Sequence, residues 1–282
     1  MLSNSKLGFG LMRLPKDKQG NIQIDEVQRM VDSFMDKGFN YFDTAYAYAG
    51  SEEAIKETLV KKYPRDSFTL ADKLPAWKLK SQDDVQRIFT ESLQLCGVDY
   101  FDFYLLHSIE KSHYPTYEKY QCFDFVKEMK KQGKIKYIGF SFHDDAQFLD
   151  KVLTEHPEMD FVQLQLNYLD WENGVIQSRQ NYEVARKHQK PIVVMEPIKG
   201  GTLASFQPDI EKIYKDYAPD SSIASWALRY VGSLEGVMTI LSGMSNIEQM
   251  NDNLNTMSDF KKINRSLRSW EPFTKRTADT PW

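Results

Sequence analysis

Phe101-Asp102-Phe103-Tyr104-Leu105-Leu106-His107 is a short, nearly unbroken apolar run that ends on an ionisable side chain. A run of this kind suits a strand covered on both faces, as strands of parallel sheets are. Working outward, three similar runs precede it: Leu7–Gly10, Tyr41–Asp43 and Phe68–Lys73. Four follow it: Ile135–Ser141, Phe161–Asn167, Ile192–Glu196 and Val237–Leu241. Longer stretches with helical spacing separate them. In Asp25–Lys37 the apolar residues Val27, Met30, Val31 and Phe34 recur at helical intervals, and Gly38 marks the stop. Ser51-Glu52-Glu53-Ala54 opens a second helix, with Ser51 as its cap and acids in its first turn. Ser81-Gln82-Asp83-Asp84 opens a third, ending near Cys96-Gly97. Tyr117–Gln132 reads as one helix stopped by Gly133, with Lys127, Lys130 and Lys131 suited to its C-terminal dipole. Asp144–Leu153 with Asp144 as a cap, Asn173–His188, Ser221–Val231 and Asn246–Met257 complete the set.

Eight alternations of strand and helix, with no Pro/Gly/Ser-rich linker, predict a single (β/α)₈ TIM barrel over residues 1–260. Residues 261–282 read as a polar C-terminal tail. The rival is an open doubly wound sheet, which favours a G-x-G-x-x-G turn after an early strand. Gly8-Phe9-Gly10 is followed by Leu11-Met12-Arg13, so the third glycine is missing.

Bulk properties narrow the function classes. The chain has 282 residues, 41% of them apolar, enough for a sizeable core. With 36 basic against 40 acidic residues, the net charge of −4 gives no broad attraction to nucleic acid or to an anionic membrane. No apolar run approaches the roughly 20 residues a bilayer requires. Cys96 and Cys122 read as reduced, packing thiols, and no basic stretch followed by an apolar block suggests a secretory signal, so a cytoplasmic location is expected.

In such a barrel the chemistry sits where strands end. Asp43, Lys73 and His107 close three consecutive apolar runs, and Tyr48 follows the second. A phenol has an ordinary pKa of about 10, and a nearby ammonium lowers it. A carboxylate would hold that ammonium charged and in place, and an imidazole N–H would orient a carbonyl oxygen. Such a set delivers a proton to an oxygen while a hydride reaches the carbon. Tyr48 is thus the candidate donor, Lys73 its tuner, Asp43 the anchor of Lys73, and His107 the substrate-orienting group. Trp77 is a candidate wall of the substrate pocket, and His143 could touch substrate.

Phe42-Asp43-Thr44-Ala45-x-x-Tyr48, followed by Ser51-Glu52, resembles the aldo-keto reductase signature after the second strand. Lys73 falls where that family has its lysine. Asp102-x-Tyr104-Leu105-Leu106-His107 and Ile138-Gly139-Phe140-Ser141 are similar to its fourth- and fifth-strand motifs. The resemblance implies hydride transfer between NADP or NAD and a small aldehyde or ketone, without metal, in a monomer or weak oligomer. It also implies a cofactor path. Gly10 to Met12 would lie beside the nicotinamide and Asp43 at its ribose. Ser141 and Gln163 would hold the carboxamide, and Met195 would stand where many members place an aromatic ring. Glu196, Lys199 and Gly201, in the loop after strand seven, would pass the pyrophosphate. Ser242, Gly243, Ser245, Gln249 and Asn253 would hold the adenosine half, where helix-start N–H groups suit phosphate.

Three departures stand out. Ser141 is followed by Phe142 where the family often has asparagine, Met195 replaces an aromatic ring, and Gly243 and Gln249 replace cations that meet the 2′-phosphate of NADPH. Losing those cations weakens the expected preference for NADPH. Ile138–Asp144 and Gly243-Met244-Ser245-Asn246 resemble a bacterial branch whose longer members carry a C-terminal iron–sulfur module, expected to be absent here.

Two other function classes fit parts of the pattern. One is a non-catalytic nicotinamide-binding barrel acting as a sensor or partner subunit. The other is a lyase or isomerase using Lys73 as a Schiff-base amine. Metal catalysis ranks lowest, because the five histidines show no paired ligand spacing.

Overall fold

The computed structural model describes residues 6–260; residues 1–5 and the expected tail at 261–282 lie outside the described residues. Eight parallel strands pair in chain order and close on themselves. They are β1 (Leu7–Gly10), β2 (Tyr41–Asp43), β3 (Thr69–Pro75), β4 (Phe101–Ile109), β5 (Ile135–Phe142), β6 (Phe161–Gln165), β7 (Ile192–Met195) and β8 (Val237–Ser242). β8 returns to β1 through Leu7 opposite Ile240, so the open-sheet alternative is excluded.

The helices are α1 (Ile24–Asp36), α2 (Ser51–Ile55), α3 (Asp83–Cys96), α4 (Tyr114–Lys119), α5 (Cys122–Lys131), α6 (Ala146–Glu155), α7 (Ser178–Lys187), α8 (Pro208–Tyr217), α9 (Ile223–Ser233) and α10 (Ile247–Ser258). Four details differ from the sequence reading. The single helix expected over Tyr117–Gln132 is two, because Gln121 takes a left-handed backbone with φ +48° between them. α8 is additional, its inward face carried by Ile210 and Tyr214 one turn apart. Ser51 does not cap α2. Gly50, with φ +78°, precedes the helix, while the Ser51 hydroxyl is buried 2.7 Å from that of Thr44. Asp145 rather than Asp144 caps α6, accepting from the Phe148 N–H at 2.8 Å. None of the described helices is long and apolar enough to cross a membrane.

The barrel interior is floored with aromatic rings. Phe103 lies 5.2 Å from Tyr41, 5.1 Å from Tyr137 and 5.1 Å from Phe161, centroid to centroid. Rings this large fit one small barrel only if neighbouring strands give up side-chain volume. Glycines provide that room. A Cβ added at Gly139 would come within 2.6 Å of both the Phe161 carbonyl oxygen and its ring.

Gly139→Ala is therefore expected to lower unfolding free energy by about 1–3 kcal/mol, the usual cost of overpacking a tight core. Urea denaturation checks this; an unchanged midpoint would mean that the floor is loosely packed.

Candidate active site

Strand register brings the polar strand ends together. Gly10 pairs with Asp43 across β1 and β2, Lys73 with Leu105 and Pro75 with His107 across β3 and β4, and Ser141 with Gln163 across β5 and β6. β4 loses regular register between Leu106 and Ile109, where Ser108 adopts φ +59°, so the chain bends beside His107.

The Lys73 side chain is buried, and its ammonium donates to the Asp43 carboxylate and to the Thr44 carbonyl at 2.7 Å. Burial pulls the lysine pKa down, but Asp43, helped by Tyr48 and Asp72, more than offsets it, and the net shift is upward. A protonated, doubly bonded ammonium has no lone pair for a carbonyl carbon, which counts against the Schiff-base alternative. The ammonium also lies 5.0 Å from the centre of the Tyr48 ring. Burial pushes the Tyr48 phenol above its ordinary value, with the Lys73 charge pulling the other way. Burial therefore outweighs the ammonium, opposite to the net lowering expected above. The phenol keeps its proton at neutral pH, as an acid must.

The His107 imidazole stands edge-on to the Tyr48 ring at 5.7 Å. Burial, reinforced by Lys73, pushes its pKa down to about 2, so the ring is neutral and carries one N–H donor. Trp77, 46% exposed, leans on His107 at 5.1 Å and on His113 at 5.2 Å.

These groups face one cavity of about 570 Å³. Asp43, Tyr48, Lys73, Trp77 and His107 line it, as do Gly10, Met12, Ser141, Gln163, Met195, Glu196, Gly201, Ser242, Gly243, Ser245, Gln249 and Asn253. His143 joins them. Lys199 does not: its ammonium turns to the buried Asp170 carboxylate, which also accepts from Asn167 at 2.8 Å. That carboxylate outcompetes an open cleft for the charge. Sequence reasoning missed Arg13, Ser108 and Asp252. Arg13 directly follows the predicted Gly10–Met12 segment and was detectable as a cation at a strand mouth. It reaches across the cleft to Glu196 at 3.4 Å. Asp252 enters only because α10 folds back on the barrel.

Several polar atoms at the cavity await a partner. The Gln163 Oε1, Asp43 Oδ2 and His107 Nδ1 atoms are buried without a hydrogen bond. Ser141 Oγ accepts from the Ser108 N–H at 2.7 Å, which leaves its own proton to give. On α10, Asn246 caps the helix through the Gln249 N–H at 2.9 Å. The Gln249 side chain is occupied by the Ser245 N–H at 2.8 Å. Asn253 donates to Ser242 at 2.8 Å.

The family model "Aldo/keto reductase family" matches residues 6–267. An uncharacterised oxidoreductase of Bacillus subtilis is 23% identical over 98% of this chain and 94% of its own. An NADH-specific methylglyoxal reductase of Escherichia coli is 26% identical over 78% of this chain and 70% of its own. Among solved structures, the holo form of a Bacillus halodurans aldo-keto reductase superposes with a TM-score of 0.76. It is 23% identical, covering 97% of this chain and 95% of that one. A Klebsiella pneumoniae aldo-keto reductase in complex with NADPH superposes at 0.71, with 21% identity over 98% and 92% of the two chains.

The depressed His107 pKa has a consequence for stability. Below the unfolded value of 6.5 the unfolded chain binds a proton that the folded chain refuses until about pH 2. Stability contributed by the neutral ring is thus lost as pH falls, at up to about 1.4 kcal/mol per pH unit. Urea unfolding of the wild type should weaken more steeply than that of His107→Gln between about pH 7 and pH 5. Parallel pH dependences would contradict a neutral buried imidazole.

Proposed function

The chain belongs to the aldo/keto reductase family, and we propose that it reduces a small aldehyde or ketone with NADPH or NADH, with Tyr48 as proton donor. The observation that carries this reading is the meeting of Tyr48, Lys73, Asp43 and His107 on one cavity that also holds unpartnered buried polar atoms.

Those atoms fit a dinucleotide. Gln163 Oε1 accepts and Ser141 Oγ donates, the complement of a carboxamide. The free Asp43 oxygen suits a ribose hydroxyl. Met195 offers a polarisable thioether for ring contact. Gly200 and Gly201 carry the loop past the cavity with φ +63° and +101°, leaving backbone exposed to a pyrophosphate. Arg13 stands beside that loop as a cation.

A nicotinamide held there by Ser141, Gln163 and Asp43 would supply the hydride for the carbonyl carbon. His107, neutral, donates its N–H to the carbonyl oxygen and fixes its position. As negative charge grows on that oxygen, the Tyr48 hydroxyl gives it a proton. Lys73 stabilises the phenolate left on Tyr48, and Asp43 keeps Lys73 charged. Trp77 and Met12, both exposed at the cavity rim, offer apolar contact to the substrate.

The charge carried by α10 favours NADH. α10 carries Glu248 and Asp252 and no lysine or arginine. Gly243 has no side chain, and Gln249 is already bonded to Ser245. A dianionic 2′-phosphate would find no cation on this helix to offset its desolvation. The relative named as NADH-specific is consistent with this reading.

Two measurements test the proposal. Tyr48→Phe should lower kcat for carbonyl reduction by about 10²–10⁴-fold while leaving cofactor binding intact. Full turnover by the variant would mean that another group gives the proton, and no carbonyl turnover by the wild type would point instead to a nicotinamide-binding barrel with another role. Separately, fluorescence titration should show NADH binding at least as tightly as NADPH, and a strong bias toward NADPH would refute the charge argument.

A further inference from the structure

Asp72 neighbours Lys73 on β3 but faces the opposite way, toward α3. There it meets Glu52 of α2 and Cys96 at the end of α3. All three side chains are buried, and one ligand atom from each lies within 4.8 Å of the other two. We propose that Glu52, Asp72 and Cys96 form a three-residue site for one thiophilic divalent cation of the zinc class, buried behind Lys73.

Geometry supports a metal. Cys96 Sγ donates to Asp72 Oδ2 at 3.6 Å, a separation that a cation replacing the thiol proton would keep. Zinc bonds of about 2.3 Å to sulfur and 2.0 Å to oxygen, at a tetrahedral angle, give an edge of roughly 3.5 Å. One carboxylate atom in the cluster, Glu52 Oε1, is buried without any hydrogen bond. Tyr104, the register partner of Asp72 on β4, is fully buried on the same side, and its hydroxyl also lacks a partner. The charges of Asp72, Glu52 and Cys96 all act on that hydroxyl. Orphaned polar atoms of this kind around a ligand triad are what an ion would satisfy.

Electrostatics agree. Three acidic groups share a dry space, and the adjacent Lys73 ammonium is committed to Asp43 and Thr44. Burial pushes Glu52, Asp72 and Cys96 all upward; the charge of Glu52 adds to the shift of Asp72, and those of Asp72 and Glu52 add to that of Cys96. A bound cation would offset the cost of charge in this space. With one, the thiol and carboxyl protons leave to solvent as the metal–ligand bonds form. The bound ion would tie α2, β3 and α3 together and fix the strand that presents Lys73. The cluster is distinct from the reductase cavity, whose lining includes none of the three residues.

The test uses the full chain, reduced and dialysed against chelator, then titrated with Co(II) alone under anaerobic conditions. The expected result is a thiolate-to-cobalt charge-transfer band in the near ultraviolet, with tetrahedral visible bands, saturating at one metal per chain. Cys96→Ser should remove the thiolate band and Cys122→Ser should keep it. Asp72→Asn should weaken binding by about tenfold or more. Zn(II) should raise the thermal midpoint of the wild type and not of Asp72→Asn. A folded wild type that gives no thiolate band overturns the site. A band that survives Cys96→Ser overturns it as well. Neither outcome bears on carbonyl reduction, which is read separately.

Discussion

An ammonium cannot sit inside a barrel alone. Moving an ion of that size from water to a dry interior costs of order 20 kcal/mol before compensation, and an unpaired one would give up its proton. Lys73 stays charged because Asp43 and the Thr44 carbonyl receive it. That contact requires β2 and β3 to lie in the observed register and the loop after β2 to turn at Thr44. The same turn delivers Tyr48 to the cavity. One buried ion pair thus links the alignment of two strands, the path of a loop and the setting of a phenol.

Burial then sets the protonation states around the pair. It makes His107 a neutral donor and keeps the Tyr48 proton on oxygen, while Asp43 preserves the lysine charge. The sequence-level expectation that lysine would lower the phenol pKa omitted this desolvation, which is the larger effect. For carbonyl reduction the observed balance is the useful one. An acid that is protonated at rest, with a cation waiting beside its conjugate base, gains most of its stabilisation as the proton leaves. The glycines of the aromatic floor beneath are what allow rings of that size to pack there.

Much of this was legible in the chain. Parallel strands buried on both faces leave unbroken apolar runs, so all eight could be read, and polar residues closing those runs could be read as one group. What escaped reading depends on packing and backbone geometry that no local motif marks. Lys199 looked like a cofactor residue until Asp170 was found to hold it. The left-handed backbone at Gln121, which divides a helix, has no glycine or proline to announce it. Ser51 has the composition of a cap but serves as a buried bridge to Thr44. Glu52, Asp72 and Cys96 belong to three elements with no motif spacing, and only the packing of α2 and α3 on β3 unites them.

The central claim is that a phenol, an ammonium, a carboxylate and a neutral imidazole serve one carbonyl oxygen. The most direct measurement is a crystal structure with oxidised cofactor and a small ketone or carboxylate analogue. The ligand oxygen is expected within hydrogen-bond reach of both the Tyr48 hydroxyl and a His107 ring nitrogen, with Lys73 still on Asp43. An oxygen held elsewhere in the cleft, or a Tyr48 hydroxyl turned away from Lys73 in that complex, would contradict it.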